Sequence, residues 1–354
     1  MPIQLKNLKE YMDQNLQNNY LLPEELHEQL NNAWKLITGA QKVTLLTHKK
    51  PDADGVSACA ALAHMLEKMG KSVEAVYPSP AEFGIKRQPH NVLINKHNQI
   101  PDLLIVCDTA NYDRMYYPEE FKQIPLINID HHVSNSITGT YNFVSPKAAS
   151  TCDYLFLILK YWQACSPPAT PRDAKHHLEG CSTLIDTYIA ECLLFGILYD
   201  TQVFQTQATQ TQTLRIAADL VEYGANLYQL KTELLSDKDP KIIALWAKVL
   251  SSIQFTPSKK AAYAVVTYQD LESLDIKPAG LTGFINFLAQ ISDIDVTALF
   301  YESEPGLTSA SLRAKATDVN TLAQKFGGGG HKFAAGITSK KPIHEFAQEV
   351  MSLL

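Results

Sequence analysis

Residues 126–132, Leu126-Ile127-Asn128-Ile129-Asp130-His131-His132, form the stretch whose reading decides the fold. A short apolar run ends abruptly in an acid and two imidazoles. Side chains alternate between faces along a strand, so adjacent histidines can serve one site only where the chain leaves the sheet. The run is therefore expected to be a buried strand whose last residues pass the sheet edge. Three more apolar runs end in the same manner, KVTLLTH at His48, DLLIVCD at Asp108 and ECLLFGILYD at Asp200. The last of these reads as a strand or as the inner end of a helix. With KSVEAVY, these near-continuous runs alternate with helical segments such as VSACAALAHMLEKMG. That is the pattern of a doubly wound parallel sheet covered on both faces. In open parallel sheets the ligand crevice lies beyond the carboxyl ends of the strands. Four segments are thus expected to bring acids and imidazoles to one edge.

A chain of 354 residues is long for a single core, so two domains are expected. Its 45% apolar and 19% charged content describes an ordinary globular protein. The net charge of −6 argues against gripping long duplex nucleic acid through the whole surface, but leaves room for a short nucleotide in a local basic pocket. The 6 cysteines are scattered without a CxxC, several inside apolar runs, which suits reduced thiols in a cytoplasm. The N-terminal MPIQLKNLKEYMDQNLQNNY has no apolar core like that of a signal peptide. No apolar run approaches the roughly 20 residues needed to span a bilayer. A cytoplasmic protein with no membrane partner is expected; a homodimer is left open.

Residues 1–30 read as a polar extension, although PEELHEQLNNAWKLITGA within and beyond them has helical signals. The first domain is placed at 31–232, with a proline-rich surface excursion at 163–190 that carries His176 and His177. TQTLRIAADLVEYGANL is a helix closed at Gly224, and LLSDKDPK places the linker at 233–242. The second domain, 243–354, reads as smaller and mixed α+β, with AAYAVVT, VTALFYE and TSASLRAKA as strands and GLTGFINFLAQI as a helix. The expected architecture sets a cleft between the two.

His48, Asp52 and Asp54 form an H-x-x-x-D-x-D cluster in the loop after the first strand. An EF-hand is excluded, because Val56, Ser57 and Ala63 stand where that loop needs an acid, a glycine and a glutamate. Once Asp108, His131 and Asp200 join the same edge, converging carboxylates would repel one another. Only Lys49 and Lys50 stand nearby in these segments, so bound divalent metal is the simpler solution. Six mixed carboxylate and imidazole ligands suffice for two ions sharing one bridging carboxylate, the arrangement that serves phosphoryl transfer. The set is too rich in oxygen for structural zinc and in imidazole for calcium. Manganese is the first expectation, with magnesium or cobalt as alternatives.

The motifs THKKPDADGVSACAAL, VCDTA, IDHH and GILYDTQVF occur in order, followed by SLRAK and DVNTLAQKFGGGGHKFAAG. Together they resemble the DHH phosphoesterase superfamily and its associated C-terminal domain. Within it the chain is similar to the stand-alone nanoRNase and pAp phosphatase type. That resemblance implies hydrolysis of short oligoribonucleotides to mononucleotides and of pAp to AMP. Linear or cyclic dinucleotide hydrolysis, or a catalytically silent nucleotide-binding regulator, are the alternative readings. It implies that His48, Asp52 and Asp108 hold one ion, and that Asp54, Asp108, His131 and Asp200 hold the other. Asp108 would bridge, Asp130 would orient a histidine, and His132 would face the substrate phosphate. Ser311, Arg313, Gly328, Gly329, Gly330 and His331 would hold the nucleotide. Glycines lacking Cβ let backbone N–H groups approach a ligand closely, and the run fits neither a Walker A loop nor GxGxxG. Two departures stand out: Gln202 where glycine is frequent, and Asp153 where glutamate is common.

Overall fold

The computed structural model describes residues 22–81, 85–165, 184–235, 239–258, 260–281 and 283–354. The chain divides into two units, Met1–Ser236 and Asp237–Leu354.

In the first unit a 3-10 turn leads into α1 (His27–Gly39), whose Leu30, Ala33 and Ile37 are buried. The helix therefore begins inside the stretch read as a polar extension. There follow β1 (Lys42–Leu46), α2 (Ala53–Lys68), β2 (Ser72–Tyr77), β3 (Val92–Ile94), β4 (Leu103–Cys107), β5 (Leu126–Asp130) and β6 (Tyr141–Val144). Then come α3 (Thr151–Cys165), α4 (Thr187–Asp200), α5 (Thr211–Glu222) and α6 (Leu227–Leu235). The strands pair in the order β3-β2-β1-β4-β5-β6, and every pairing is parallel. The order reverses between β1 and β4, so the switch point falls between the carboxyl ends of those two strands.

Alternation sends Val43 and Leu45, Ile105 and Cys107, and Ile127 and Ile129 to a core shared with the helices. Leu46, Leu104, Val106 and Leu126 go to the opposite face, where Met115, Phe121 and Ile137 cover them from turns and loops. Both faces are thus dry, which is why these strands read as unbroken apolar runs. Trp162 anchors α3 to α1: its indole is fully buried, and Nε1 donates to the Leu30 carbonyl at 2.9 Å. Truncating so large a buried ring costs roughly 3–5 kcal/mol.

The ambiguous run ECLLFGILYD is helical, forming most of α4. Its residues from Ile189 to Leu198 are buried, with Glu191 the single intermediate position. A helix enclosed on every side loses its amphipathic stripe and reads like an interior strand. The Asp186 carboxylate starts it by accepting the Ile189 N–H at 3.0 Å. The ends of the supposed excursion at 163–190 belong to α3 and α4; His176 and His177 lie outside the described residues.

The second unit contains α7 (Pro240–Ser251), β7 (Gln254–Phe255), β8 (Ala261–Val266), α8 (Tyr268–Glu272), α9 (Phe284–Leu288) and β9 (Val296–Glu304). It continues with β10 (Leu307–Ala314), α10 (Val319–Gln324), β11 (Gly329–His331), β12 (Ala334–Ser339) and α11 (Ile343–Met351). The sheet order is β11-β12-β10-β9-β8-β7, with β8 and β9 parallel and the other pairs antiparallel. This is the expected mixed α+β architecture. The glycine run differs from a loop, since it enters an edge hairpin with Gly329 opposite Gly336 and His331 opposite Ala334. A Cβ on Gly328 would lie 2.2 Å from the Gly336 carbonyl oxygen, so the close backbone approach itself demands glycine. No helix of the described residues is long and apolar enough to cross a membrane.

Candidate metal centre

Four segments converge beyond the switch point. After β1 the chain delivers His48, which is 5% exposed. Asp52 then caps α2: its Oδ1 accepts the N–H groups of Asp54 at 3.1 Å and Gly55 at 3.2 Å. Its other oxygen is left toward His48, 3.7 Å from Nε2. One aspartate therefore begins the helix with one oxygen and faces the centre with the other.

Asp54, in the first turn of α2, is fully buried. Its carboxylate accepts the Thr151 N–H at 2.6 Å and the Cys152 N–H at 3.0 Å. These are unpaired donors at the N-terminus of α3, where the helix dipole also favours an anion. Ser150 and Asp153 brace that terminus: Ser150 Oγ accepts the Asp153 N–H at 3.0 Å, and Asp153 Oδ2 accepts the Ala149 N–H at 2.8 Å. Asp153 is thus a helix-start residue, a role that glutamate also fills in S-x-x-E.

Asp108 follows β4 with φ at +55°, a left-handed conformation that a non-glycine residue adopts at a cost. The turn aims its carboxylate across the sheet end. Oδ2 lies 3.4 Å from His48 Nε2, and Oδ1 lies 3.6 Å from His131 Nε2. Thr151 Oγ1 donates to Oδ1 at 3.1 Å. The two oxygens therefore look toward different halves of the site.

Beyond β5, the chain leaves the sheet and both histidines reach the centre, their ring centroids 4.6 Å apart and planes at 65°. Asp130, fully buried, makes the turn. Its Oδ1 accepts the His131 and His132 N–H groups at 2.7 and 3.2 Å and lies 2.7 Å from His132 Nδ1. Asn135 Nδ2 donates to Oδ2 at 2.6 Å and to the Thr109 carbonyl at 2.9 Å. From the end of α4, Asp200 Oδ2 comes within 3.3 Å of His131 Nε2. The fourth arm is thus a helix end, where three of the arms are strand ends.

The charges are unbalanced without cations. Burial, then the neighbouring carboxylates, pushes Asp200 well above the usual carboxylate range, and burial with Asp108 beside it pushes Asp54 up to about 6. Burial also opposes ionisation of Asp108, but the His48 hydrogen bond and the surrounding imidazoles hold it below its ordinary value. His48 is driven down by burial, yet Asp108 and Asp52 carry it up to about 11. Burial likewise opposes the His132 imidazolium, but Asp130 and Asp108 raise it. Three donor groups each gather within 4.8 Å: His48, Asp52 and Asp108; Asp54, His131 and Asp200; and Asp108, Asp130, His131 and His132. Oxygen and imidazole donors with excess negative charge fit divalent cations. In the third group Asp130 already accepts four hydrogen bonds, which sets it apart as a support.

In the second unit, Ser311 and Arg313 lie two apart on β10 and so share a face. Arg313 Nε donates to Asn286 Oδ1 and Nη1 to the Leu312 carbonyl, both at 3.0 Å. Gly329, Gly330 and His331 lie exposed in β11, at the sheet edge two strands from β10, with Gly328 just before them. Thr151, Asn135 and Asn286 were missed in the sequence. Asn135 could have been found three residues past the triplet, and Thr151 inside the helix-start pattern Ser150-Thr151-Cys152-Asp153.

The sequence matches the DHH family, N-terminal domain, over residues 42–197, and the DHHA1 domain over 258–354. The chain thus carries a DHH-family N-terminal domain followed by a DHHA1 domain. A relative from Streptococcus mutans, named a probable bifunctional oligoribonuclease and PAP phosphatase NrnA, is 26% identical over 313 residues, covering 87% of this chain and 93% of the relative. One from Thermus thermophilus, named a bifunctional oligoribonuclease and PAP phosphatase NrnA, is 27% identical over 311 residues, with 84% of each chain covered. Among solved structures, an exopolyphosphatase-related protein from Bacteroides fragilis shares the fold with a TM-score of 0.79, at 20% identity and covering 94% of this chain and 97% of that one.

Proposed function

We propose that this chain is a phosphoesterase that hydrolyses short oligoribonucleotides to mononucleotides and removes the 3′-phosphate of pAp. The observation that carries the reading is the split carboxylate of Asp108, with one oxygen toward His48 and the other toward His131. The names of the Streptococcus and Thermus relatives support the substrate class. His48, Asp52 and Asp108 would hold one divalent cation, and Asp54, Asp108, His131 and Asp200 a second. Manganese is proposed first, with magnesium or cobalt able to substitute. Such ions, when bound, supply positive charge against phosphate oxygens and make water more acidic.

The chain's own residues supply the rest. Asp130 accepts a hydrogen bond from the Nδ1–H of His132 and so sets the ring's tautomer. That leaves proton chemistry to Nε2, which hydrogen-bonds a phosphate oxygen or protonates the departing one. Thr151 and Cys152 hold Asp54 in line through backbone N–H groups, so its carboxylate needs no reorganisation. Arg313, oriented by Asn286, would present its guanidinium to the nucleotide, together with Ser311, His331 and the N–H groups of Gly328, Gly329 and Gly330.

The test is a panel of pAp, linear and cyclic dinucleotides, and RNAs of two to twenty nucleotides, incubated with the purified protein and manganese. Release of mononucleotides from the short RNAs and of AMP from pAp is expected. Intact short RNA and pAp after prolonged incubation would sink the proposal. Faster cleavage of a cyclic dinucleotide would move the substrate class.

A further inference from the structure

Arg114 ends the 3-10 turn Tyr112–Arg114 that follows β4 and Asp108. Its carbonyl accepts the Lys49 N–H at 2.5 Å, which ties this turn to the loop bearing Lys49 and Lys50. All three cations are exposed. Among the described residues, no carboxylate lies within 4.0 Å of any of them. In a chain of net charge −6, three cations without ion-pair partners thus gather beside an acidic centre.

The geometry around His48 gives this rim a direction. Arg114 Nη2 lies 3.3 Å from His48 Nδ1, and that same nitrogen lies 3.0 Å from the Lys49 carbonyl. Across the ring, Nε2 faces Asp52 and Asp108. For Nε2 to hold a cation, the imidazole must be neutral with its proton on Nδ1, donated to the Lys49 carbonyl. A guanidinium has donors only, so His48 then offers Arg114 no acceptor. Its N–H fork is left one ring width outside the donor cluster. A planar, doubly donating fork there suits a phosphate better than any other common group of a nucleotide.

We infer that Arg114, with Lys49 and Lys50 beside it, binds a phosphate of the substrate other than the one being hydrolysed. This rests on the phosphoesterase reading above and sharpens it. The preferred substrates carry a second phosphate next to the scissile one, as a 5′-phosphorylated dinucleotide or a nucleoside bisphosphate does.

The experiment compares ApA with pApA, as substrates and as ligands, using the full-length protein loaded with manganese, its R114A and R114K variants, and metal analysis of each. The unmodified protein should favour pApA by about tenfold or more in kcat/KM, chiefly through KM. R114A should erase most of that preference while retaining its metal. R114K should keep part of it, since a point charge replaces a fork. A preference surviving in R114A, or absent from the unmodified protein, overturns the inference. So does an equal fall on both substrates with loss of metal, which would assign Arg114 to holding His48. Should the unmodified protein cleave neither compound, the phosphoesterase reading fails by itself. Tighter binding of pApA than of ApA, lost in R114A, would then still uphold the subsite; equal binding would end both.

Discussion

Asp130 and His132 are joined twice: Asp130 Oδ1 lies 2.7 Å from His132 Nδ1 and also accepts the His132 backbone N–H at 3.2 Å. The carboxylate thereby sets ring and backbone together, just where β5 runs out. It has no part in holding a cation on this reading, so its removal should separate proton chemistry from metal content. Asp130→Asn can present an N–H to Nδ1 and reverse the tautomer. We expect kcat to fall by about 100-fold or more, with KM and bound metal little changed. Steady-state kinetics paired with elemental analysis checks this; metal loss matching the activity loss would make Asp130 a ligand instead.

Asp108 and Arg313 should fail in different ways. Asp108→Ala removes the carboxylate common to both cation groups, so bound metal and activity should vanish together. Arg313→Ala changes the second unit and removes a guanidinium held by Asn286. Its KM should rise by roughly tenfold or more, as for one lost charged hydrogen bond, with full metal content. Equal metal loss in the two variants would contradict this division.

The sequence disclosed the sheet because both its faces are dry, so β1, β4 and β5 each read as an apolar run with a polar residue at its end. It disclosed which side chains gather beyond the strand ends for the same reason, since His48, Asp108 and His131 all follow such runs. α4 was ambiguous because burial on every side removes the helical period, whereas β3 went unread because three edge residues carry little pattern. The supports of the site were hidden for another reason. Asp54 is held by backbone N–H groups of Thr151 and Cys152, and a backbone donor leaves no mark in side-chain chemistry. Asn135 and Asn286 are common polar residues whose roles depend on what they face. Arg114 lies four residues beyond the VCDTA motif, and its proximity to His48 arises from a turn that no periodicity announces.

Gly196 is the point where packing and site meet. A Cβ there would fall 2.4 Å from Cys152 Sγ and 2.8 Å from Asp54 Oδ1. Both neighbours are buried, and Asp54 is also held by α3, so neither can yield cheaply. Gly196→Ala should destabilise the fold by roughly 1–3 kcal/mol and weaken metal binding as well. Gly39, at the end of α1, has nothing within 4 Å of its Cβ position, so Gly39→Ala serves as the control and should leave both unchanged. Thermal melts and manganese titrations of the two variants decide the matter. A Gly196→Ala protein with ordinary stability and metal affinity would remove this glycine from the account of the site.

Asp186 should give the protein part of its acid sensitivity. Burial alone would raise its carboxyl, but the Lys68 ammonium at 2.8 Å, the Ile189 N–H and His64 bring it down to about 2 from an ordinary 3.8. A carboxylate whose folded value lies below its unfolded value stabilises the protein above the unfolded value. That contribution fades as pH falls from about 4 toward 2. Asp186 is also the cap of α4, the helix that carries Asp200. Asp186→Ala should therefore cost about 0.5–2 kcal/mol at neutral pH through the lost cap. Its melting temperature should also fall less steeply than that of the unmodified protein between pH 4 and 2, so the two curves converge in acid. Asp186→Asn keeps an acceptor for the Ile189 N–H while losing the ionisation, and should show the flatter acid limb with a smaller loss at neutral pH. Parallel curves for all three proteins across that range would show that Asp186 contributes nothing that titrates.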